Sequence, residues 1–212
     1  MKGRILQIML IMLGLVSAAT ADVVKPALVE ISANTNGKLS IEVRASIEAL
    51  LTGINARYKN TQDAPTAEAY DELRVLQADQ LQTEFEPFKQ EFLSQIFLKA
   101  DDLIVPLEIV DVWIPEPGYT KVPRISVIKL GAELDQSSRK LQWYYPARFG
   151  DNAVRVRQVD EANEQWHWSE WQWLRKDEPS QLFSLEELFT RRPLAEVVFS
   201  YMVIGFEHIV PG

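Results

Sequence analysis

The most regular alternation in the chain runs through "KLSIEVRAS", where Leu39, Ile41, Val43 and Ala45 share one parity and Ser40, Glu42, Arg44 and Ser46 the other. A period of two is that of a strand with one buried face. "PALVEIS", Pro26 to Ser32, predicts a strand before it, and "ANTNG" between them supplies the Asn and Gly that a hairpin turn requires. From residue 47 to 96 the period changes. Tyr70, Leu73, Leu76, Leu81, Phe85, Phe88, Phe92 and Ile96 recur three to five residues apart among Glu, Gln, Asp and Lys, the spacing of helices with one apolar face. Thr66 is the expected N-cap after Pro65, and Pro87 opens a further helix or kinks a long one.

Strand signals return in "QIFLKADDLIVPLEIVDVWIP", where Asp101-Asp102 predict a tight turn between Gln95–Ala100 and Leu103–Ile114. "RISVIKL", "KLQWYYPARF", "AVRVRQV" and "WHWSEWQWLR" follow, separated by short polar segments. This rhythm predicts a mostly β domain over residues 22–183. We expect an immunoglobulin-like antiparallel β-sandwich of about seven strands, with a helical insertion at about 47–96. The pattern changes again at Ser184, which has capping-box spacing to Glu187, and Pro193 is placed to open a helix. Leu194 to Phe206 is apolar apart from Glu196, but at 13 residues it is too short to cross a bilayer. Residues 184–212 are therefore expected to form a juxtamembrane helical segment.

At the other end, Lys2 and Arg4 precede a 12-residue apolar core, Ile5 to Val16, and Ala19-Thr20-Ala21 fits a small-x-small cleavage site. This is a secretory signal peptide, residues 1–21, so the protein is exported. Loss of Lys2 and Arg4 leaves 20 basic residues against 30 acidic ones, a net charge of −10. Such a chain repels phosphate backbones, which argues against nucleic acid as a partner. The absence of cysteine removes disulfides, thiol nucleophiles and thiolate metal sites, leaving the fold to rest on its core.

Candidate chemistry is sparse. Trp166 and Trp168 share one parity and Trp171 and Trp173 the other, so either the strand is lined on both faces or a bulge near Ser169-Glu170 aims all four to one side. A core position facing Trp143 and Trp113 is the expectation. A membrane interface or a stacking platform for sugars are the alternatives. His167, alternating with them, is expected to face solvent. The carboxylate pairs Asp101-Asp102, Asp71-Glu72 and Glu186-Glu187 sit where turns and helix starts ordinarily carry acid, and neither histidine stands in a catalytic motif. The chain does not read as an enzyme and calls for no bound cofactor. Glu207-His208 differs, because its neighbours are apolar and an imidazole beside a carboxylate suits nickel, cobalt or zinc. Two ligands make a partial metal site at most, and a helix-end cap or interfacial pair is the alternative.

Those last residues carry a resemblance. "YMVIGFEHIVPG", Tyr201 to Gly212, is similar to the junction of the HupE/UreJ-like membrane proteins, in which Gly-x-Glu-His-Ile-x-x-Gly runs into an Asp-His pair and a series of membrane spans; Gly205, Glu207, His208, Ile209 and Gly212 match. The leader, the strand-rich region and "RFGDNAVRVR" also resemble the extracytoplasmic part of longer members. The resemblance implies the periplasmic domain of a bacterial inner-membrane protein, a permease for nickel or cobalt or an accessory protein of hydrogenase or urease systems. Its partners would be lipid, spans beyond residue 212 and the transported ion. The alternative is a free periplasmic ligand-binding or adaptor module.

Overall fold

The computed structural model describes residues 23–120, 122–161 and 163–185. The leader, Glu186-Glu187, the juxtamembrane segment and Glu207-His208 lie outside them. β1 (Ala27–Asn34) and β2 (Lys38–Ala45) form the predicted antiparallel hairpin. It turns at Gly37, where φ is +86° and a Cβ would lie 2.8 Å from the Leu134 carbonyl oxygen, so glycine is required twice over. Val29, Ile31, Ile41 and Val43 are fully buried on one face. Each contributes roughly 1.5–3 kcal/mol by leaving water, and a one-residue slip would expose all of them, which fixes the register.

β1 has a second neighbour that alternation does not reveal. β8 (Asn152–Asp160) lies beside it in parallel, with Val29 opposite Val154 and Ile31 opposite Val156. A period of two tells which face a strand buries but not the direction of its neighbour, so the all-antiparallel expectation fails at this pair. The other strand pairings among the described residues are antiparallel. The large sheet is completed by β6 (Ser126–Glu133) beside β2, β5 (Glu108–Trp113) beside β6, and β9 (Gln165–Trp168) and β10 (Gln172–Leu174) both beside β8. A second sheet has the order β11 (Phe183–Ser184), β7 (Lys140–Tyr144), β3 (Phe97–Ala100), β4 (Leu103–Val105). Among the described residues strand exceeds helix, 37% against 24%, so the fold is mostly β.

The apolar run Leu103–Ile114, predicted as one strand, divides between the sheets: β4 ends before Pro106 and β5 begins after Leu107. Proline cannot donate to a ladder and fits where a strand leaves its sheet. The Asp101-Asp102 turn is present with φ of +45° and +72°, the left-handed pair that a two-residue hairpin needs. At the far end of the described residues Ser184 pairs with Lys140 and the Leu185 amide donates to the Arg139 carbonyl; Glu187 and the helix that Ser184 was expected to cap lie outside the described residues.

The helical insertion is confirmed as α1 (Ile47–Thr52), α2 (Ala67–Arg74), α3 (Ala78–Phe85) and α4 (Lys89–Gln95). Thr66 stands at the start of α2, but its hydroxyl donates to the Thr52 carbonyl and caps no helix amide. Pro87 lies in a single 3₁₀ turn between α3 and α4. Leu81, Phe85 and Phe92 are fully buried, and Phe92 stacks on Phe149 at 5.5 Å. These side chains, the inner faces of both sheets and the fully buried Trp143 share one hydrophobic core. One ion pair pins the insertion to the strands. Arg124, leading into β6, donates to Glu48 of α1 at 2.8 Å and to the carbonyl oxygens of Leu73, Leu76 and Pro115, while Ser46 donates to the other Glu48 oxygen.

Candidate functional site

The tryptophan-rich segment is an edge strand with an extra residue. Arg157 of β8 faces Trp168, whereas Val154 faces Gln172, so three steps along β8 are matched by four along the edge. This is a β-bulge at Ser169–Trp171. Ser169 holds it in place, its amide donating to the Val156 carbonyl at 2.8 Å and its hydroxyl accepting the Val156 amide at 2.9 Å. The bulge switches the phase, so Trp166 opposite Val159, Trp168 opposite Arg157 and Trp173 opposite Ala153 all lie on one face. That face is the outer one, since the alternate residues Val154, Val156 and Gln158 are buried. The core expectation for the cluster is therefore overturned. Trp166, Trp171 and Trp173 are exposed, as is Trp113 on the opposite edge, and Trp143 alone among the expected partners is buried. His167 is corrected in the other direction: it lies opposite the buried Gln158 and is half-buried.

The outer tryptophans are organised by two arginines of β8. The Arg155 guanidinium lies 3.7 Å from the Trp168 ring centre and 4.4 Å from that of Trp171, and Arg157 lies 5.1 Å from Trp168. An arginine between two indoles gains cation–π attraction from both. Arg155 is also paired through Nε (2.9 Å) and Nη2 with Glu30, which in turn meets Arg44 at 3.2 Å, and Arg44 meets Glu42 at 2.8 Å. Glu30 and Glu42 sit directly opposite each other on β1 and β2. Like charges in that position are destabilising, and the guanidinium groups on either side offset this.

Across the outer face the register sets side chains in rows. One row reads Arg155, Glu30, Glu42, Lys129, Asp111, charged at every position from β8 to β5. The next reads Trp168, Arg157, Ser32, Ser40, Gly131, Glu108 and is small in the middle. Between the raised ends lies an open trough of about 1180 Å³, walled by Trp168 on one side and by Pro106, Leu107 and Val110 on the other. Val110 occupies a bulge in β5 and leans over Gly131, where an added Cβ would come within 2.9 Å of its Cγ1. Four basic and five acidic side chains line the trough.

Of the carboxylate pairs noted in the sequence, Asp101 and Asp71 hold local structure. Asp101 accepts the Arg139 and Lys140 amides at 2.9 and 3.0 Å, and Asp71 accepts from Gln62 and Arg74. Asp177 is lowered from its ordinary value because it accepts the Ala147 amide and then the Tyr144 hydroxyl; the latter contact raises Tyr144. Burial alone pushes Tyr145 upward. Among the described residues no three histidine, aspartate or glutamate side chains converge to hold a metal ion, and no helix is long and apolar enough to cross a membrane.

Sequence reading missed the trough. Its signal was present in "AVRVRQV" and "LSIEVR", where Arg155 and Arg157, and Ser40, Glu42 and Arg44, occupy the outward parity. Compared with known proteins, the chain matches no family model and no curated sequence.

Proposed function

We propose that the chain is the outward-facing recognition domain of a HupE/UreJ-like membrane protein that takes up nickel or cobalt, exported by its leader to the periplasmic face of a bacterial inner membrane. In this reading the domain is an immunoglobulin-like β-sandwich that binds its ligand without converting it, and transport belongs to spans following Gly212. The observation that carries recognition is the trough, whose wall and floor are held by Trp168–Arg155–Trp171 stacking and by the Glu30–Arg44–Glu42 chain of ion pairs. Ligand sites are concave and combine apolar walls, here Trp168, Leu107 and Val110, with fixed polar groups. The metal assignment is supported by Gly205, Glu207, His208, Ile209 and Gly212, with Glu207 and His208 as half of a site that a following Asp-His pair would complete.

Nickel uptake by cells carrying the full protein tests this reading. With His208→Ala at matched membrane levels, uptake is expected to fall at least about tenfold, the ordinary cost of losing a metal-site group. Wild-type uptake should weaken as pH falls through about 6.5, where imidazole takes up a proton. Unchanged uptake in the variant would reduce Glu207 and His208 to a structural pair. A free periplasmic binding module is the second reading, favoured by the trough, which needs no membrane part to work. A reading frame that stops after Gly212 would select it.

A further inference from the structure

We infer that the trough on the outer face of the large sheet, floored by Ser32 and Ser40 and walled by Trp168 and Val110, is a binding site for a neutral oligosaccharide. The inference rests on the recognition reading above and names its ligand class. Its first ground is the floor. β1, β2 and β6 each have a strand on both sides, so their backbone amides and carbonyls are already paired along the ladders. A peptide cannot add here as a further strand. Whatever binds must be held by side chains, and the floor offers the hydroxyl of the exposed Ser40 and that of Ser32, which accepts from Arg157 Nε at 3.2 Å and keeps its own proton to donate.

Charge is the second ground. The lining carries four basic against five acidic groups, and Glu30, Glu42, Arg44 and Arg155 are already committed to one another. No surplus field selects an anion or a cation. A chain of carboxylates and guanidinium groups presents fixed acceptors beside fixed donors. A sugar hydroxyl both donates and accepts, and suits that arrangement.

Size and shape supply the third. About 1180 Å³ exceeds the usual range of a single small-molecule pocket, roughly 300–1,000 Å³, and the trough is open, which fits several linked units better than one. Ser32 and Ser40, small and side by side on β1 and β2, let a flat ring approach the sheet, while Gly131 beside them makes room for the Val110 side chain. Trp168 stands at the end of that row, its indole in contact with the Arg155 and Arg157 guanidinium groups, so a wall with an apolar edge is in place before any ligand arrives.

The test titrates the full chain with cellohexaose, maltohexaose and chitohexaose, and with hexaglutamate and hexalysine as charged controls, by calorimetry and by Trp fluorescence. At least one neutral hexasaccharide is expected to bind, and Ser40→Trp, which fills the floor at an exposed strand position, is expected to weaken it at least tenfold with the melting temperature unchanged. The conservative Ser40→Thr should retain binding within a few fold. Absence of binding by all three saccharides, equal affinity in Ser40→Trp, or tighter binding of either charged peptide would overturn the inference. None of these results bears on nickel uptake by the His208→Ala protein, so the two proposals fail separately.

Discussion

Arg124→Ala is expected to destabilise the protein by about 3–5 kcal/mol, the cost of leaving one member of a buried ion pair without its partner. The Arg124 and Glu48 side chains are 6% and 1% exposed, so water cannot replace the lost contact. The arginine also holds the Leu73 and Leu76 carbonyls at the end of α2 and the Pro115 carbonyl beyond β5. Its removal therefore loosens the insertion from the strands as well as exposing a charge imbalance. Pairing Arg124→Met with Glu48→Met removes both charges and should recover part of the loss. Full recovery is not expected, because three carbonyl oxygens remain without their donor. Urea denaturation of the single and double variants checks this; a single variant within about 1 kcal/mol of wild type would show that the pair is not what joins the two regions.

The second large effect separates two tryptophans that the sequence presents alike. Trp143→Ala should cost about 3–5 kcal/mol, since the ring is wholly buried in the core between the sheets. Trp171→Ala should cost only about 1 kcal/mol, the worth of a cation–π contact near the surface. In a domain of this size the first corresponds to a fall in melting temperature of roughly 10 °C and the second to a few degrees. Thermal denaturation followed by far-UV circular dichroism gives both numbers. Equal losses would mean that the outer tryptophans belong to a core after all.

That contrast also shows what was legible beforehand. The first hairpin could be read because β1 and β2 each bury one parity and a glycine stands at the turn. The Asp101-Asp102 turn and the helical insertion were legible for the same kind of local reason. The phase switch in the tryptophan segment was legible too, because Trp168 and Trp171 are an odd number of residues apart. Which face it selects was not, since that depends on β8, whose inner valines and outer arginines come from a distant part of the chain. The division of Leu103–Ile114 between two sheets had one local mark, Pro106. The parallel pairing of β1 with β8 had none. The trough is a property of rows that run across five strands, and no window along the sequence contains a row. Only the outward parity of Ser40, Glu42, Arg155 and Arg157 hinted that this face is more than a solvated surface.

The central functional claim is that this domain lies outside the cytoplasmic membrane while attached to it. Residues 1–212 contain no cysteine, so a thiol introduced among them is unique within this domain. Thr35 lies exposed in the turn between β1 and β2, away from the trough walls, and accepts the change without touching the core. The measurement is labelling of Thr35→Cys by a membrane-impermeant maleimide in intact spheroplasts, followed by separation of membrane and soluble fractions. The account predicts full labelling before lysis with the labelled protein in the membrane pellet. Labelling only after lysis, or a labelled protein found in the soluble fraction, would contradict it.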